Sequence, residues 1–489
     1  MNKKNGLLLI IIFLPLHCMT AQKVYDVKDF GAKGLKSELA TRSIQSAIDT
    51  CYNGGGGIIY FSPGEYLSGT IILKSNVTLW LEAGAILYGS TDPDDFDYDA
   101  ANKNNRDLAG FEKNRQPILI YAKDAKNISI RGKGRIDAQA KREFRPLEKV
   151  DRFIEKETEI ARNAGVKMEA ATKLDPVTCM IFLVSCENVL IEDVTLWESC
   201  GWTLHIQWSN RVFIRSVSIY SDLEMGANAD GIDLDGCRNV CISDCIIETA
   251  DDAIVLKTTR TGEISQSCEN IVVSNCVLTS SSTALKLGTE SHNDFRNILF
   301  NNCVIRNSNR GLSIVIRDGG AAENIKFSNI SMDLNRRHFN WWGSADPIWL
   351  VIKKRHEDSL IGQIKNVTFD NIIAYAQGTA KIEGFDRNHL ISDVYLNNVK
   401  IYLMPETVPD KRADFIFSAH DVQNLSFNNV ELIHRSDSNV EHWKNAFFFS
   451  GIKGLTLQGV KTQTINNKKY KSLLIEKSEA LTIKNCLWK

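Results

Sequence analysis

Residues 228 to 257 hold the residues best placed to do chemistry. Asn228-Ala229-Asp230-Gly231 opens a short segment in which Ile232 and Leu234 alternate with Asp233 and Asp235. Asp251-Asp252-Ala253 opens a second, in which Ile254 and Leu256 alternate with Val255 and Lys257. Alternation with a period of two is the pattern of a strand with one face inward. Asp230 and the Asp251/Asp252 pair therefore stand at the heads of two successive strands, 251 − 230 = 21 residues apart. That is about one coil of a solenoid whose stacked strands lie roughly 4.8 Å apart, so three carboxylates share one patch. Like charges that close do not all ionise: one is pushed to keep its proton near neutral pH while another stays a base. Glycoside hydrolysis needs that pairing. A lone aspartate at such a place is ordinarily a turn former, and it is the register of three that points to catalysis.

The elements that must position these groups repeat along the chain. Asn127-Ile128, Asn188-Val189, Asn239-Val240, Asn270-Ile271, Asn297-Ile298, Asn324-Ile325, Asn366-Val367 and Asn424-Leu425 each open an alternating apolar segment. The starts at 239, 270, 297 and 324 lie 31, 27 and 27 residues apart. Short β units at this spacing, with no helical period, predict an all-β chain folded as a right-handed parallel β-helix. An asparagine at one bend of every coil tolerates left-handed backbone and bonds its neighbours above and below, a structural role. Looser versions headed by Asn76, Asp393 and Gly454 extend the coil nearly to Lys489. Before it, Thr41 to Tyr52 places Ile44, Ala47, Ile48 and Cys51 on one helical face, a short helix expected to cap the open end. Residues 139 to 178 read as a charged helical insertion with Leu147, Val150, Ile154, Ile160 and Ala161 on one face and Pro176 closing it, placed to wall one end of a cleft. A second excursion, 336 to 356, reads as a loop carrying Phe339, Trp341, Trp342 and Trp349, which either stack on sugar or plug the loop to the coil.

With 58 basic and 59 acidic residues and no basic run, the chain has no electrostatic footprint for nucleic acid. Lys3 and Lys4, the apolar run Leu7 to Leu16, and Met19-Thr20-Ala21 before Gln22 form the pattern of a secretory signal, residues 1 to 21, too short to span a bilayer. The protein is thus expected outside the cytoplasm, periplasmic or extracellular. Cys18 would permit lipidation, but the bulky His17 before it disfavours this reading. Residues 22 to 489 are expected to form one domain. Of the 12 cysteines, Cys245, Cys276, Cys303 and Cys486 recur at one slot of the repeat, which predicts a column packed inside the coil in preference to disulfides. Cys237 and Cys241 lack the further ligands a zinc site needs. No metal or cofactor is expected, and the oligomeric state is left open.

Asn228-Ala229-Asp230, Asp251-Asp252 and Lys257 resemble the Asn-Thr-Asp and Asp-Asp blocks of glycoside hydrolase family 28, the polygalacturonase-like enzymes. Tyr25-Asp26-Val27 through Phe30-Gly31-Ala32, Gly54 to Gly57 before Ile58-Ile59-Tyr60-Phe61, Pro63-Gly64-Glu65-Tyr66, and Leu81-Glu82-Ala83-Gly84-Ala85 resemble the family's amino-terminal part, and Trp202-Thr203-Leu204-His205 its Trp-Thr-Ile-His segment. The resemblance implies that Asp251 is the general acid, that Asp230 and Asp252 activate water, and that the anomeric carbon inverts. Adjacent strand residues face opposite sides, so Asp251 and Asp252 can serve one site only if a bend or bulge falls there.

The sequence departs from the family at two places. Ser282-Thr283-Ala284 stands where polygalacturonases have Gly-His-Gly, and Gly311-Leu312-Ser313-Ile314-Val315 where Arg-Ile-Lys would lie. The cations that grip a uronate carboxylate are missing, so polygalacturonic acid itself is in question. Candidate replacements and further substrate contacts are Asn228, Lys257, Lys286, Arg310, Arg317, His205 and His292. Arg317 leads as a carboxylate clamp because guanidinium binds carboxylate with two parallel bonds; a salt bridge to Asp318 or Glu290 is its structural alternative. The leading function is hydrolysis of a pectin-type galacturonan or rhamnogalacturonan. A β-eliminating lyase, needing a Lys, Arg or Tyr base, and a non-catalytic glycan-binding solenoid stand as alternatives.

Overall fold

The computed structural model describes residues 23–97, 117–140, 144–146, 152–166, 171–173, 179–199, 201–224, 228–337, 343–407, 409–410, 412–435, 444–463 and 472–488. The expected signal with Cys18, and Leu147, Val150, Pro176, Phe339, Trp341 and Trp342, lie outside them.

Period-two sequence becomes parallel strand throughout, and the chain is a right-handed parallel β-helix. Among the described residues one sheet stacks 13 strands, from Ile71–Ile72 to Leu473–Glu476, and a larger parallel sheet closes the coil. Register is strict where it matters. Ile181, Leu204, Ile232, Ile254, Leu285, Leu312 and Ile348 pair in one inward column, and each is fully buried. The outward column one residue on runs Phe182, His205, Asp233, Val255, Lys286, Ser313, Trp349 and Lys381. A slip of one residue would exchange these columns, so the buried aliphatic face fixes where every polar outward side chain stands.

The asparagines do what their spacing predicts. Asn127, Asn188, Asn239, Asn270, Asn297, Asn324 and Asn366 have φ between 54° and 60°. Their amides form a ladder: Asn270 donates to Asn239 at 3.3 Å, Asn297 to Asn270 at 3.1 Å, Asn324 to Asn297 at 3.2 Å and Asn366 to Asn324 at 2.7 Å. Arg211 takes the left-handed position in one coil, and there Asn239 donates to Asn210 instead.

The helix Thr41–Asn53 buries Ile44, Ala47, Ile48 and Cys51 against the first coils. Gln45 bonds both the N–H and the C=O of Ile72, tying the helix to the first strand of the smaller sheet. Cys245, Cys276 and Cys303 are buried free thiols in one column; Cys486 is half-buried, in a last coil whose Leu481 and Ile483 stay exposed. In the insertion, helix Arg152–Asn163 buries Ala161 while Ile160 is exposed. Its end at Gly165 lies beside Pro409, a loop far along the coil, so the insertion reaches well beyond its own turn.

One expectation is corrected. Residues 336 to 356 are not simply a loop, since Asp346–Ile352 is a coil strand paired on both sides. Trp349 is a strand residue, 5% exposed, with the Arg310 guanidinium 3.9 Å from its ring centroid. That face is occupied by the protein's own cation.

Candidate active site

The three aspartates come from corners, not strands. Asp230 precedes Ile232–Asp235, and Asp251 and Asp252 lie between Ile246–Thr249 and Ile254–Thr258. The bend required for neighbours to face one site is therefore there, and hydroxyls brace it. Thr249 and Ser280 both donate to the Asp251 carbonyl, at 2.9 and 2.7 Å, and Ser221 accepts from the Ala250 N–H. Adjacent corners are in register, with the Gly231 N–H donating to the Asp252 carbonyl and the Thr203 N–H to that of Asp230. One carboxylate oxygen from each of Asp230, Asp251 and Asp252 lies within 4.8 Å of the others. All three are buried.

Each carboxylate has a different setting. Asp251 accepts only backbone N–H bonds among those seen, from Asn228 at 3.2 Å and Asp252 at 2.9 Å. Burial pushes its carboxyl well up, and Asp230 and Asp252 push it further. Asp230 is also raised by burial, to about 6, although Lys257 works against the shift from 3.2 Å. Asp252 accepts from the Ser282 hydroxyl at 2.9 Å, the Thr283 N–H at 3.2 Å and Lys286 at 2.6 Å. The residues that stand in place of Gly-His-Gly thus grip this aspartate.

Lys257 is a hub. Its ammonium meets Asp230 at 3.2 Å, Asp233 at 3.1 Å and Glu290 at 3.7 Å, and sits 3.7 Å from the centroid of the Trp202 ring. Burial opposes its charge, but Asp230, Asp233 and Glu290 more than compensate and raise its pKa. Asp233 is fully buried, and although the ion pair is close, neither of its oxygens has hydrogen-bond geometry to a donor. Burial pushes this carboxyl up as well. Sequence reasoning missed Asp233, Glu290 and Trp202 as parts of the site; the outward parity of Asp233 beside His205 was the usable signal.

The remaining candidates divide. His205 is 1% exposed, stacked on Phe182 at 4.4 Å and edge-on to Trp202 at 4.8 Å, with Nε2 donating to Asp235 at 3.3 Å. Burial lowers its pKa and keeps it neutral, so it supports the floor under Trp202 and Lys257. Asn228 contributes its backbone N–H. His292 is exposed, its pKa lowered by partial burial. Arg310 pairs with buried Asp346 at 3.2 Å. Arg317 is 3% exposed, and Asp318 and Glu290 both bond Arg355, Asp318 through two parallel contacts at 2.7 and 2.9 Å. Arg355, from the second excursion, was not foreseen. Gly288 lets that coil pass: its φ is +92°, and a Cβ there would lie 2.0 Å from the Val315 carbonyl oxygen.

The sequence model of Glycosyl hydrolases family 28 matches residues 100–407, and that of Rhamnogalacturonase A/epimerase, pectate lyase-like, matches 24–83. An exo-poly-alpha-D-galacturonosidase of Dickeya chrysanthemi is 29% identical over 258 residues, 47% of this chain and 41% of that enzyme. The matching stretch spans less than half the length of the curated relatives. A hyperthermoactive exopolygalacturonase from Thermotoga maritima has a similar fold, with TM-score 0.59 and 24% identity over 78% of this chain and 87% of that one. The family 28 exopolygalacturonase of Yersinia enterocolitica gives TM-score 0.60 and 19% identity over 95% and 78%. With the family match covering well over half of its residues, this chain belongs to glycosyl hydrolases family 28.

Proposed function

We propose that this protein is an exported glycoside hydrolase that cleaves a pectin-type glycan, galacturonan or rhamnogalacturonan, by acid and base catalysis. The observation that carries the reading is the meeting of Asp230, Asp251 and Asp252 in one buried patch with unequal surroundings. Asp251, raised by burial and by its acidic neighbours, keeps a proton to give to the glycosidic oxygen. Asp230, with a pKa near 6, is a base above that pH and takes a proton from the attacking water. Export rests on residues 1 to 21, and among the described residues no helix is long and apolar enough to cross a membrane.

A lyase would need a basic side chain at the substrate; Lys257 and Lys286 are each committed to carboxylates, which favours hydrolysis. The expected stereochemistry is inversion, on the strength of the family. Inverting pairs usually stand roughly 6.5–9.5 Å apart and retaining pairs about 5–5.5 Å. Here the nearest oxygens lie within 4.8 Å, a measure shorter than the carboxyl-to-carboxyl separation. NMR of the first product formed from a panel of pectic oligosaccharides tests both points. An unsaturated product absorbing in the ultraviolet would mean elimination, and a retained anomer would mean a nucleophilic carboxylate.

A further inference from the structure

We infer that the two candidate bases are not equivalent in this chain: Lys286, with Ser282 and the Thr283 amide, locks Asp252 as a fixed counter-charge, and Asp230 alone takes the proton from water. The inference rests on the proposed hydrolase reading and assigns Lys286 as a positioning residue. Three donors converge on Asp252, and the shortest contact, 2.6 Å, is from the ammonium of Lys286, whose side chain is 8% exposed. Two of them hold Oδ1 and the third holds Oδ2. Charge-assisted bonds of this kind are about twice as strong as neutral ones, and three donors on one carboxylate fix its orientation and occupy lone pairs that would otherwise face the attacking water.

Asp230 is held otherwise. The bond it receives from Lys257 is 3.2 Å, and that lysine is shared with Asp233 and Glu290. The charged and titratable groups facing Asp230 are Lys257, Asp252, Lys286 and Asp251, with Asp233 coupled through Lys257. In the step itself, Asp251 gives its proton to the glycosidic oxygen as the bond from that oxygen to the anomeric carbon breaks. Water bonds to the carbon and gives one proton to Asp230. The proton then returns from Asp230 to Asp251, so the acid and base recover without any further reagent.

Asp252→Asn leaves the buried Lys286 facing an amide in place of the carboxylate it bonds at 2.6 Å, which unbalances that contact and disturbs the corner. If Asp252 is only a counter-charge, adding Lys286→Met repairs the imbalance. The test is a pair of double-variant cycles, Asp252→Asn with Lys286→Met and Asp230→Asn with Lys257→Met, read as kcat, KM and thermal midpoint. Asp252→Asn is expected to lower kcat about 100-fold and the double variant to recover to within about tenfold of the parent, whereas Asp230→Asn with Lys257→Met stays at least about 1,000-fold down. The acidic limb of kcat/KM, set by Asp230, persists in the Asp252→Asn/Lys286→Met protein. No recovery of kcat, or recovery in the Asp230 cycle instead, overturns the inference. The midpoints decide separately, because the cycle must show coupling between Asp252 and Lys286 whatever the substrate, and additive midpoints overturn the lock. A parent protein that hydrolyses no pectic glycoside would overturn the proposed function while the midpoint cycle still decides whether Lys286 holds Asp252.

Discussion

Two charge clusters lie along the smaller sheet and are built in different proportions. Around Lys257 and Lys286 gather Asp230, Asp233, Asp251, Asp252 and Glu290, with Arg355 reaching Glu290. Further along, Asp346 receives Arg310 at 3.2 Å and Lys381 at 3.0 Å. Burial tends to raise the carboxyls of Asp230, Asp233, Asp251, Glu290 and Asp346. In the first cluster it prevails at Asp230, Asp233 and Asp251. In the second it loses to Lys381 and Arg310, and the Asp346 carboxyl falls below its ordinary value. Glu290 shows the rule inside the first cluster, since burial there is outweighed by Lys257 and Arg355 and its carboxyl is lowered. Burial is common to both clusters; an excess of carboxylate over cation is what leaves a proton available for chemistry.

The largest expected effect breaks the acid. Asp251→Asn should lower turnover by about 10²–10⁴ while the thermal midpoint moves little, because the amide oxygen still accepts a backbone N–H of the corner but the side chain has no acidic proton to give. Turnover within tenfold of the parent would remove Asp251 from the mechanism. The same substitution in the balanced cluster should act on stability. Asp346→Asn leaves Arg310, 4% exposed, without its counter-charge, and removing one partner of a buried pair costs about 3–5 kcal/mol. The lower end applies, since Lys381 is 31% exposed. Urea unfolding measures it, and a loss under about 1 kcal/mol would mean the second cluster is not structural.

Most of the fold was legible because its signals are local. Alternating Ile232 and Leu234, or Ile254 and Leu256, define inward columns without knowledge of any partner, and Asn270 to Asn366 mark the same bend in each coil. The acid patch was legible for the same reason, since its members are one coil apart. What surrounds it was not. Arg355 reaches Asp318 and Glu290 across 37 and 65 residues of sequence, and spacing encodes no such contact. Trp349 looked like a loop aromatic because an excursion hides the period of its strand; only the pairing of Ser313 with Trp349 reveals it.

The substrate-charge prediction follows from that missed contact. Arg355, anchored by Asp318 and Glu290, has 18% side-chain exposure, whereas Arg317 is 3% exposed. Substitution of a guanidinium that holds a uronate carboxylate should cost about 1.5–3 kcal/mol, or one to two orders of magnitude in kcat/KM. Arg355→Ala is expected to show this loss on uronate glycosides and much less on matched neutral ones, and Arg317→Ala is the direct comparison. A loss confined to Arg317→Ala would restore that residue as the clamp, and equal losses on both sugars would show that neither reads the carboxylate.

The smallest effect separates the clusters by the sign of their pH dependence. Asp230 rises from an ordinary 3.8 to about 6 in the folded protein, so between those values the native state binds more protons than the unfolded one. Its contribution to stability is complete below about pH 4 and is lost as pH rises towards 6, at no more than about 1.4 kcal/mol per pH unit. Asp346 is lowered, so its contribution is present above the unfolded value and lost as pH falls through the folded one. Midpoints measured from pH 3 to 7 should therefore decline less steeply between about 4 and 6 in Asp230→Asn, where Asp233 and Asp251 still contribute, and fall less on the acid side in Asp346→Asn, where Glu290 still contributes. Activity adds an independent reading of the first limb, because Asp230 must be ionised to act as base and kcat/KM should rise through about pH 6. If both variants flatten the same side of the stability curve, the contrast between an acid-rich and a balanced cluster fails, and Asp230 is a paired structural carboxylate like Asp346.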